Sequence, residues 1–122
     1  MKKPILLVVD DQQFVCESIE IMLKNMYEVH TFTSGEEAMN YMSDHSADLV
    51  LLDYEMPNMT GYEVLLAIRE NKHTSKTPVI FLTAEKNERM RMEMIARGAS
   101  DYICKPINSS ALHQSIKKQL SC

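Results

Sequence analysis

The sequence predicts a doubly wound α/β fold, in which a five-stranded parallel sheet carries helices on both faces. Five short apolar runs alternate with five stretches whose apolar residues recur at helical spacing, the pattern of consecutive βα units with right-handed crossovers. Two of the runs are aliphatic throughout, residues 5–9 and residues 49–52 of the predicted strand 48–53, as strands buried on both faces are. Since 122 residues is close to the usual size of one domain, we expect residues 1–122 to form a single domain.

Ten elements are predicted along the chain. Residues 28–32 alternate polar with apolar side chains, which indicates a half-exposed strand at the edge of the sheet. That edge position favours the strand order 2-1-3-4-5. Strands are predicted at residues 5–9, 28–32, 48–53, 78–83 and 101–104, and helices at about residues 12–26, 34–44, 60–71, 86–97 and 108–120.

Capping residues mark the starts of the first three predicted helices. Asp11 is the expected cap of the first helix, because a carboxylate there can accept from the free backbone N–H groups. Ser34 with Glu37, and Thr60 with Glu63, match the capping-box spacing, in which each of two side chains satisfies a backbone N–H of the first turn. These positions fix where the second and third helices begin.

The composition excludes several classes of function. The 17 acidic residues outnumber 13 basic ones, for a net charge of -4, and no dense basic block exists, so we do not expect direct nucleic-acid binding. The amino-terminal apolar run lacks a signal-peptide cleavage site, and no stretch approaches membrane-spanning length. We therefore expect a cytoplasmic protein without a membrane partner. Cys16, Cys104 and Cys122 are an odd set without CxxC spacing, which favours reduced thiols over disulfides or a zinc site.

Polar residues stand at or just past the ends of four predicted strands. The carboxyl ends of parallel strands meet at one edge of the sheet, which is where ligands bind in open α/β folds. In the order 2-1-3-4-5 the first and third strands are neighbours, so their three carboxylates should converge. The residues concerned are Asp10, Asp11, Asp53, Thr83 and Lys105.

Converging carboxylates indicate a cation site and phosphoryl chemistry. Two unit charges about 4 Å apart repel by about 4 kcal/mol at an effective dielectric constant near 20, enough to recruit a cation. Carboxylates with a backbone carbonyl and waters are the ligands that Mg²⁺ prefers. Lys105 and the Thr83 hydroxyl would then hold phosphoryl oxygens by charge and hydrogen bond. Asp53 would be the nucleophile that forms an aspartyl phosphate.

These motifs resemble those of the receiver domain of two-component response regulators, over essentially the whole chain. The resemblance implies a flavodoxin-like (βα)5 fold and a phospho-accepting role in a two-component or phosphorelay system, rather than an enzyme that turns over a substrate. The motifs are Asp10-Asp11, residues 53–57 with Gly61, Thr83-Ala84, and residues 98–102 with Lys105-Pro106.

The resemblance also implies a metal site and a phosphodonor. Mg²⁺, for which Mn²⁺ can substitute, would be held by Asp11, Asp53 and the backbone carbonyl of Glu55, with Asp10 acting through water. Asp53 would accept its phosphoryl group from a histidine of a partner histidine kinase or histidine phosphotransfer protein. Gly61 beside the nucleophile would have a structural role.

A conformational switch is part of the same resemblance. Thr83 would move toward the phosphoryl group and Tyr102 would turn inward, which repacks the face formed by the fourth helix, fifth strand and fifth helix. That face would contact a downstream protein target. The Lys105–Pro106 bond would be cis. Glu55 and Glu85 occupy positions that vary in the family and are associated with phosphoryl lifetime.

Three alternatives fit part of the pattern. A metal-dependent phosphatase with an aspartyl nucleophile would carry a second Asp two residues on, where this chain has Glu55, and it would hydrolyse small phosphate esters. A flavodoxin-like cofactor carrier would need a phosphate-binding loop after the first strand, where Asp10 and Asp11 repel phosphate. A degenerate receiver that serves only as a protein-binding module is disfavoured by the complete set of acids, Thr83 and Lys105.

Overall fold

The computed structural model describes residues 2–121 and contains one parallel sheet flanked by helices. Its strands are β1 (Ile5–Val9), β2 (Glu28–Phe32), β3 (Leu49–Asp53), β4 (Val79–Thr83) and β5 (Asp101–Cys104). Its helices are α1 (Gln13–Leu23), α2 (Gly35–Met42), α3 (Gly61–Glu70), α4 (Glu88–Ala96) and α5 (Ser109–Leu120). The sheet order is β2-β1-β3-β4-β5, and all four strand pairs are parallel, so the predicted fold class and order are confirmed.

The sheet separates two hydrophobic cores, because side chains alternate between its faces along each strand. One core packs the strands against α2, α3 and α4, with Ala38, Val64 and Met94 among its helix residues. The other packs them against α1 and α5, with Ile19 and Ile116 among its helix residues. Every residue of β3 and β4 is buried, as the aliphatic runs predict. Full burial of one such aliphatic side chain contributes roughly 1.5–3 kcal/mol.

The edge position predicted for residues 28–32 is confirmed. β2 pairs only with β1 among the described strands, and its residues are partly or fully exposed. At the opposite edge, β5 pairs with β4, with Thr83 opposite Cys104. The ends of β1 and β3, where Asp10 and Asp53 lie, are therefore inside the sheet, because each of these strands has a neighbouring strand on both sides.

The start and end of α1 differ from the prediction. Gln12 is the N-cap and makes no side-chain capping bond, so the expected cap at Asp11 is wrong. Asp10 instead accepts from the Gln12 N–H at 2.9 Å, which turns the chain into the helix and leaves Asp11 exposed at the sheet edge. The helix ends at Leu23, because Tyr27 is the residue that folds back into the core, whereas Met26 is 45% exposed.

The two predicted capping boxes have different outcomes. At α3 the box is complete: the Glu63 N–H donates to Thr60 Oγ1 at 3.2 Å, and the Thr60 N–H donates to Glu63 Oε1 at 2.9 Å. At α2 only half of it forms. Ser34 Oγ accepts from the Glu37 N–H at 3.1 Å, but the Glu37 carboxylate accepts from the Ser34 hydroxyl rather than its backbone.

Asparagines begin the last two helices. Asn87 accepts from the Met90 N–H, so α4 starts two residues later than predicted, and Asn108 caps α5 in the same way. Gly98 ends the α4 segment at a φ of 115°, a conformation that favours glycine. Within residues 2–121, none of the helices has the length and apolar character needed to cross a membrane.

Candidate functional site

Three carboxylates meet at the carboxyl edge of the sheet, between β1 and β3. Ligand oxygens of Asp10, Asp11 and Asp53 all lie within 4.8 Å of one another. Asp10 is fully buried, Asp53 is 2% exposed, and Asp11 faces solvent. β1 and β3 are hydrogen-bonded neighbours, which is why residues far apart in the sequence converge here. The convergence predicted from the strand ends is therefore present.

Lys105 reaches the acids from the loop after β5. Its Nζ donates to Asp10 Oδ2 at 2.8 Å and to Asp53 Oδ1 at 3.3 Å. The peptide bond to Pro106 is cis, as the resemblance implies. Both oxygens of Asp10 are in use, since Oδ1 accepts from the Gln12 N–H. Asp11, the exposed member of the group, is consequently the acid most open to an incoming ion.

The surroundings of Asp53 favour its protonated form more than water does. Burial, reinforced by the negative charge of Asp10, raises the pKa of Asp53 to about 7, against the attraction of Lys105. Burial opposes the charged form of Lys105, but its hydrogen bond and charge interactions with Asp10 and Asp53 outweigh it and raise its pKa. The site thus holds one ammonium and more negative charge than that ammonium neutralises, and it favours a further cation.

Gly61 is packed directly against the backbone of Asp53 and Tyr54. A Cβ placed on Gly61 would lie 2.4 Å from the Asp53 carbonyl oxygen and 2.8 Å from Tyr54 Cα. The Gly61 N–H also donates to the Tyr54 carbonyl at 3.1 Å. Within the same loop, Asn58 adopts a φ of 67°. The loop after β3 closes onto α3 only because residue 61 has no side chain.

Thr83 ends β4, and its hydroxyl is bonded to a residue of the neighbouring loop. Its Oγ1 donates to Glu55 Oε2 at 2.7 Å and accepts from the Glu85 N–H at 3.1 Å. The second oxygen of Glu55 accepts from the Ala84 N–H at 3.4 Å. The sequence indicated only the backbone carbonyl of Glu55, as a metal ligand. It did not predict the hydrogen bond between the Glu55 side chain and Thr83. No sequence signal reveals it, because it depends on the distance between two loops.

Tyr102 already lies inward in this structure, without a phosphoryl group at Asp53: it is buried, and its hydroxyl donates to the Glu85 carbonyl at 3.0 Å. Burial raises the pKa of the Tyr102 phenol. The thiol of Cys104 donates to the same carbonyl at 3.5 Å. Because the Glu85 N–H donates to Thr83, these contacts link Thr83 to Tyr102 through one peptide segment.

Cys16 of α1 contacts the backbone of Asp10, one of the three acids. Its buried thiol donates to the Asp10 carbonyl at 3.3 Å, and burial raises its pKa to about 11. Cys16 and Cys104 are free thiols, as the sequence predicts, whereas Cys122 lies outside the described residues. The supporting contact of Cys16 was not predicted, since its position in α1 looks like an ordinary core position.

An apolar groove opens beside Lys105. It has a volume of about 490 Å³ and runs between α1 and residues 105–107. Phe14, on its rim, is 66% exposed. Sequence reasoning did not identify this surface. The groove is lined by Gln12, Phe14, Val15, Ser18, Ile19, Met22, Lys105, Pro106 and Ile107.

The fold and this site define a flavodoxin-like α/β domain with an acidic cluster at the switch point of its sheet. The sequence profile of the response regulator receiver domain matches residues 6–117. The chain therefore belongs to the response regulator receiver domain family, the signalling domains of two-component systems. That membership excludes the flavin-carrier alternative.

Similar proteins agree with this assignment. The chain is 36% identical over 115 residues to a protein of Vibrio cholerae named a probable cyclic di-GMP phosphodiesterase, covering 94% of this chain and 26% of that protein. It is 35% identical over 107 residues to the cell cycle response regulator CtrA of Brucella ovis, covering 87% of this chain and 45% of CtrA. The crystal structure of the chemotaxis protein CheY4 of Vibrio cholerae superposes with a TM-score of 0.91 at 30% identity, covering 97% and 99% of the two chains. The chain thus spans less than half of either curated relative.

Proposed function

We propose that Asp53 accepts a phosphoryl group from a phosphohistidine of a partner histidine kinase or histidine phosphotransfer protein, in a reaction that requires Mg²⁺. The observation that carries the proposal is the convergence of Asp10, Asp11 and Asp53, two of them bonded to Lys105. One longer relative is named a probable cyclic di-GMP phosphodiesterase, but we propose the receiver role alone for this chain. That residues 1–122 form one receiver domain in the cytoplasm stays a prediction.

The donor set of the cluster fits a hard divalent cation. Asp11 and Asp53, with the backbone carbonyl of Glu55, are the proposed direct ligands of Mg²⁺ or Mn²⁺. Asp10 would act through water, because its two oxygens already accept from Gln12 and Lys105. When bound, the ion supplies positive charge that offsets the carboxylates and the phosphoryl oxygens.

Phosphoryl transfer then needs a deprotonated Asp53. One of its oxygens attacks phosphorus, the P–N bond to the donor imidazole breaks, and the electron pair of that bond returns to the nitrogen. Lys105 Nζ, 3.3 Å from Asp53 Oδ1, donates to an oxygen of the transferred group. The product is an aspartyl phosphate. The phosphorylated receiver would then act as a signal, and it would not turn over a substrate as an enzyme does.

The donor would dock over the apolar groove beside Lys105. Gln12 and Lys105 line the groove and also contact Asp10, so an apolar surface surrounding the donor histidine would be seated next to the nucleophile. Phe14→Ala tests this placement. It should slow transfer from a histidine kinase that phosphorylates the wild type and leave phosphorylation by acetyl phosphate unchanged; equal slowing with both donors would contradict it.

The phosphorylated state would be read out through α4, β5 and α5 by a downstream protein. Thr83 and Tyr102 are joined through the Glu85 segment, so a movement of the Thr83 hydroxyl toward the phosphoryl group would be transmitted to that face. Phosphorylation shifts the equilibrium only because it favours one of the two arrangements.

Labelling with a small phosphodonor tests the proposal. With acetyl phosphate and Mg²⁺, the wild type should gain one phosphoryl group, and the label should be lost in Asp53→Asn and in EDTA. Asp44→Asn is the matched control, because it removes the same charge from an exposed residue paired with His45. Unchanged labelling of Asp53→Asn would overturn the assignment, and steady hydrolysis of p-nitrophenyl phosphate would support the phosphatase alternative instead.

A further inference from the structure

The Thr83 hydroxyl is already committed to a carboxylate. A hydroxyl has one proton to donate, and that of Thr83 goes to Glu55 Oε2 at 2.7 Å. Its lone pair meanwhile accepts from the Glu85 N–H. Thr83 therefore cannot donate to a phosphoryl oxygen until its bond to Glu55 breaks.

The same carboxylate bridges two loops of the site. Glu55 follows the nucleophile by two residues at the end of β3, and Thr83 ends the adjacent strand β4. The other oxygen of Glu55 lies 3.4 Å from the Ala84 nitrogen, so both oxygens face the segment after β4. A carboxylate that accepts in this way from residues 83–84 offers them a negatively charged acceptor, which is what a phosphoryl group would also offer.

We propose that Glu55 is a positioning residue that holds Thr83 in the unphosphorylated arrangement and competes with the phosphoryl group for the Thr83 hydroxyl. The inference rests on the proposed function. Its consequence reaches beyond the acid cluster, because Thr83 is linked through the Glu85 peptide segment to the Tyr102 hydroxyl. Breaking the bond between Thr83 and Glu55 would free the segment that joins Thr83 to Tyr102 of β5, on the face formed by α4, β5 and α5.

Glu85 provides a matched control for Glu55. Both are exposed glutamates beside Thr83, but the contacts of Glu85 in this network are made by its backbone N–H and carbonyl. Glu85→Ala therefore removes a nearby negative charge without removing an acceptor of the Thr83 hydroxyl. Thr83→Val removes the hydroxyl itself, so any effect of Glu55 that acts through that hydroxyl must vanish in this background.

The first experiment measures the Glu55–Thr83 contact without any phosphoryl group. Three-bond couplings to the Thr83 methyl carbon report its rotamer by NMR in the unphosphorylated protein. In the wild type they should indicate one rotamer. In Glu55→Ala they should indicate averaging, and in Glu85→Ala they should match the wild type. An unchanged, single rotamer in Glu55→Ala would overturn the proposal, whatever the phosphoryl chemistry of the site.

The second experiment measures competition, with beryllium fluoride as the phosphoryl analogue at fixed Mg²⁺. Glu55→Ala should bind the analogue about threefold to tenfold more tightly than the wild type, the range expected for losing one partly exposed charge-assisted hydrogen bond. The affinity of Glu85→Ala for the analogue should differ clearly less from that of the wild type. Adding Glu55→Ala to Thr83→Val should not change the affinity further.

Two results of the binding experiment would contradict the proposal. One is an equal effect of the two alanine variants, and the other is an effect of Glu55→Ala that persists in the Thr83→Val background. Failure of the wild type to bind the analogue would count against the proposed function, while the rotamer measurement still decides whether Glu55 holds Thr83.

Discussion

The ammonium group of Lys105 lies 3.3 Å from Asp53 Oδ1, although the two residues are 52 positions apart and their strands are not neighbours. β4 stands between β3 and β5, so the lysine crosses one strand end to reach the acid. It also bonds the fully buried Asp10 at 2.8 Å. Lys105 is thus the cation that the fold itself provides to the cluster.

Replacing Lys105 by methionine should destabilise the protein by about 2 kcal/mol at pH 8, because it leaves the buried Asp10 carboxylate without its charged partner. The loss should be smaller at pH 5, where protonation of Asp53 relieves the repulsion among the acids. Urea unfolding at the two pH values measures this. Lys76→Met, in the loop before β4 at the other end of the strand, is the control and should change stability little. A loss that is the same at both pH values would argue against the electrostatic explanation.

The raised pKa of Asp53 should appear in the pH dependence of stability without metal. In the folded state this pKa is about 7, above its ordinary value of 3.8, so the folded protein binds the extra proton. The stability that this proton contributes is fully present below pH 4 and is lost as the pH rises through 7. Asp53→Asn should therefore be more stable than the wild type by about 2–4 kcal/mol at pH 8 in EDTA, and the difference should vanish near pH 4. A difference that is absent at pH 8 would contradict the shift.

Asp11 should matter for the metal rather than for the helix. Asp11→Ala removes a proposed direct ligand and should weaken Mg²⁺ binding about tenfold or more, as expected when one of two carboxylate ligands is lost. Its effect on stability in EDTA should be small, because Asp11 is exposed and does not cap α1. Titration of Mg²⁺ followed by amide chemical shifts measures the affinity, with Asp44→Ala as the control. An unaltered titration in Asp11→Ala would remove it from the ligand set.

Gly61→Ala should displace Asp53, the proposed nucleophile. The added methyl group would lie 2.4 Å from the Asp53 carbonyl oxygen, so the loop must move, at a cost of about 2–4 kcal/mol in the free energy of unfolding. Phosphorylation by acetyl phosphate should slow as well. Gly98→Ala is the comparison: its φ of 115° makes it costly too, but its near neighbour is the Arg69 side chain, remote from Asp53. It should lose stability and keep the phosphorylation rate. Equal phosphorylation rates in both variants would contradict the role of Gly61.

The sheet and the acid cluster follow from local sequence patterns. Residues 6–9 and 49–53 are buried on both faces, and a run of aliphatic residues ending in Asp is enough to place a carboxylate at the strand end. The parallel pairing of β1 with β3 then brings the acids together, because it aligns Asp10 with Asp53 at one edge of the sheet. Lys105 could be placed at that edge for the same reason.

The features that the sequence did not predict have a different physical cause. The Glu55–Thr83 bond, the contact of Cys16 with Asp10 and the exposure of Phe14 depend on distances between elements, which no periodicity encodes. At the start of α1, either Asp10 or Asp11 could accept from a free backbone N–H. The buried Asp10 does so, by accepting from the Gln12 N–H.

The central claim is that Asp53 is the phosphoryl acceptor, and locating the phosphoryl group tests it most directly. The wild-type chain is phosphorylated with acetyl phosphate and Mg²⁺, reduced with borohydride, which converts an acyl phosphate to the alcohol, and mapped by peptide mass spectrometry. The proposal predicts homoserine at position 53 and at no other aspartate, with none formed when Mg²⁺ is chelated. Reduction at Asp10 or Asp11, or no reduced residue in the presence of Mg²⁺, would contradict it.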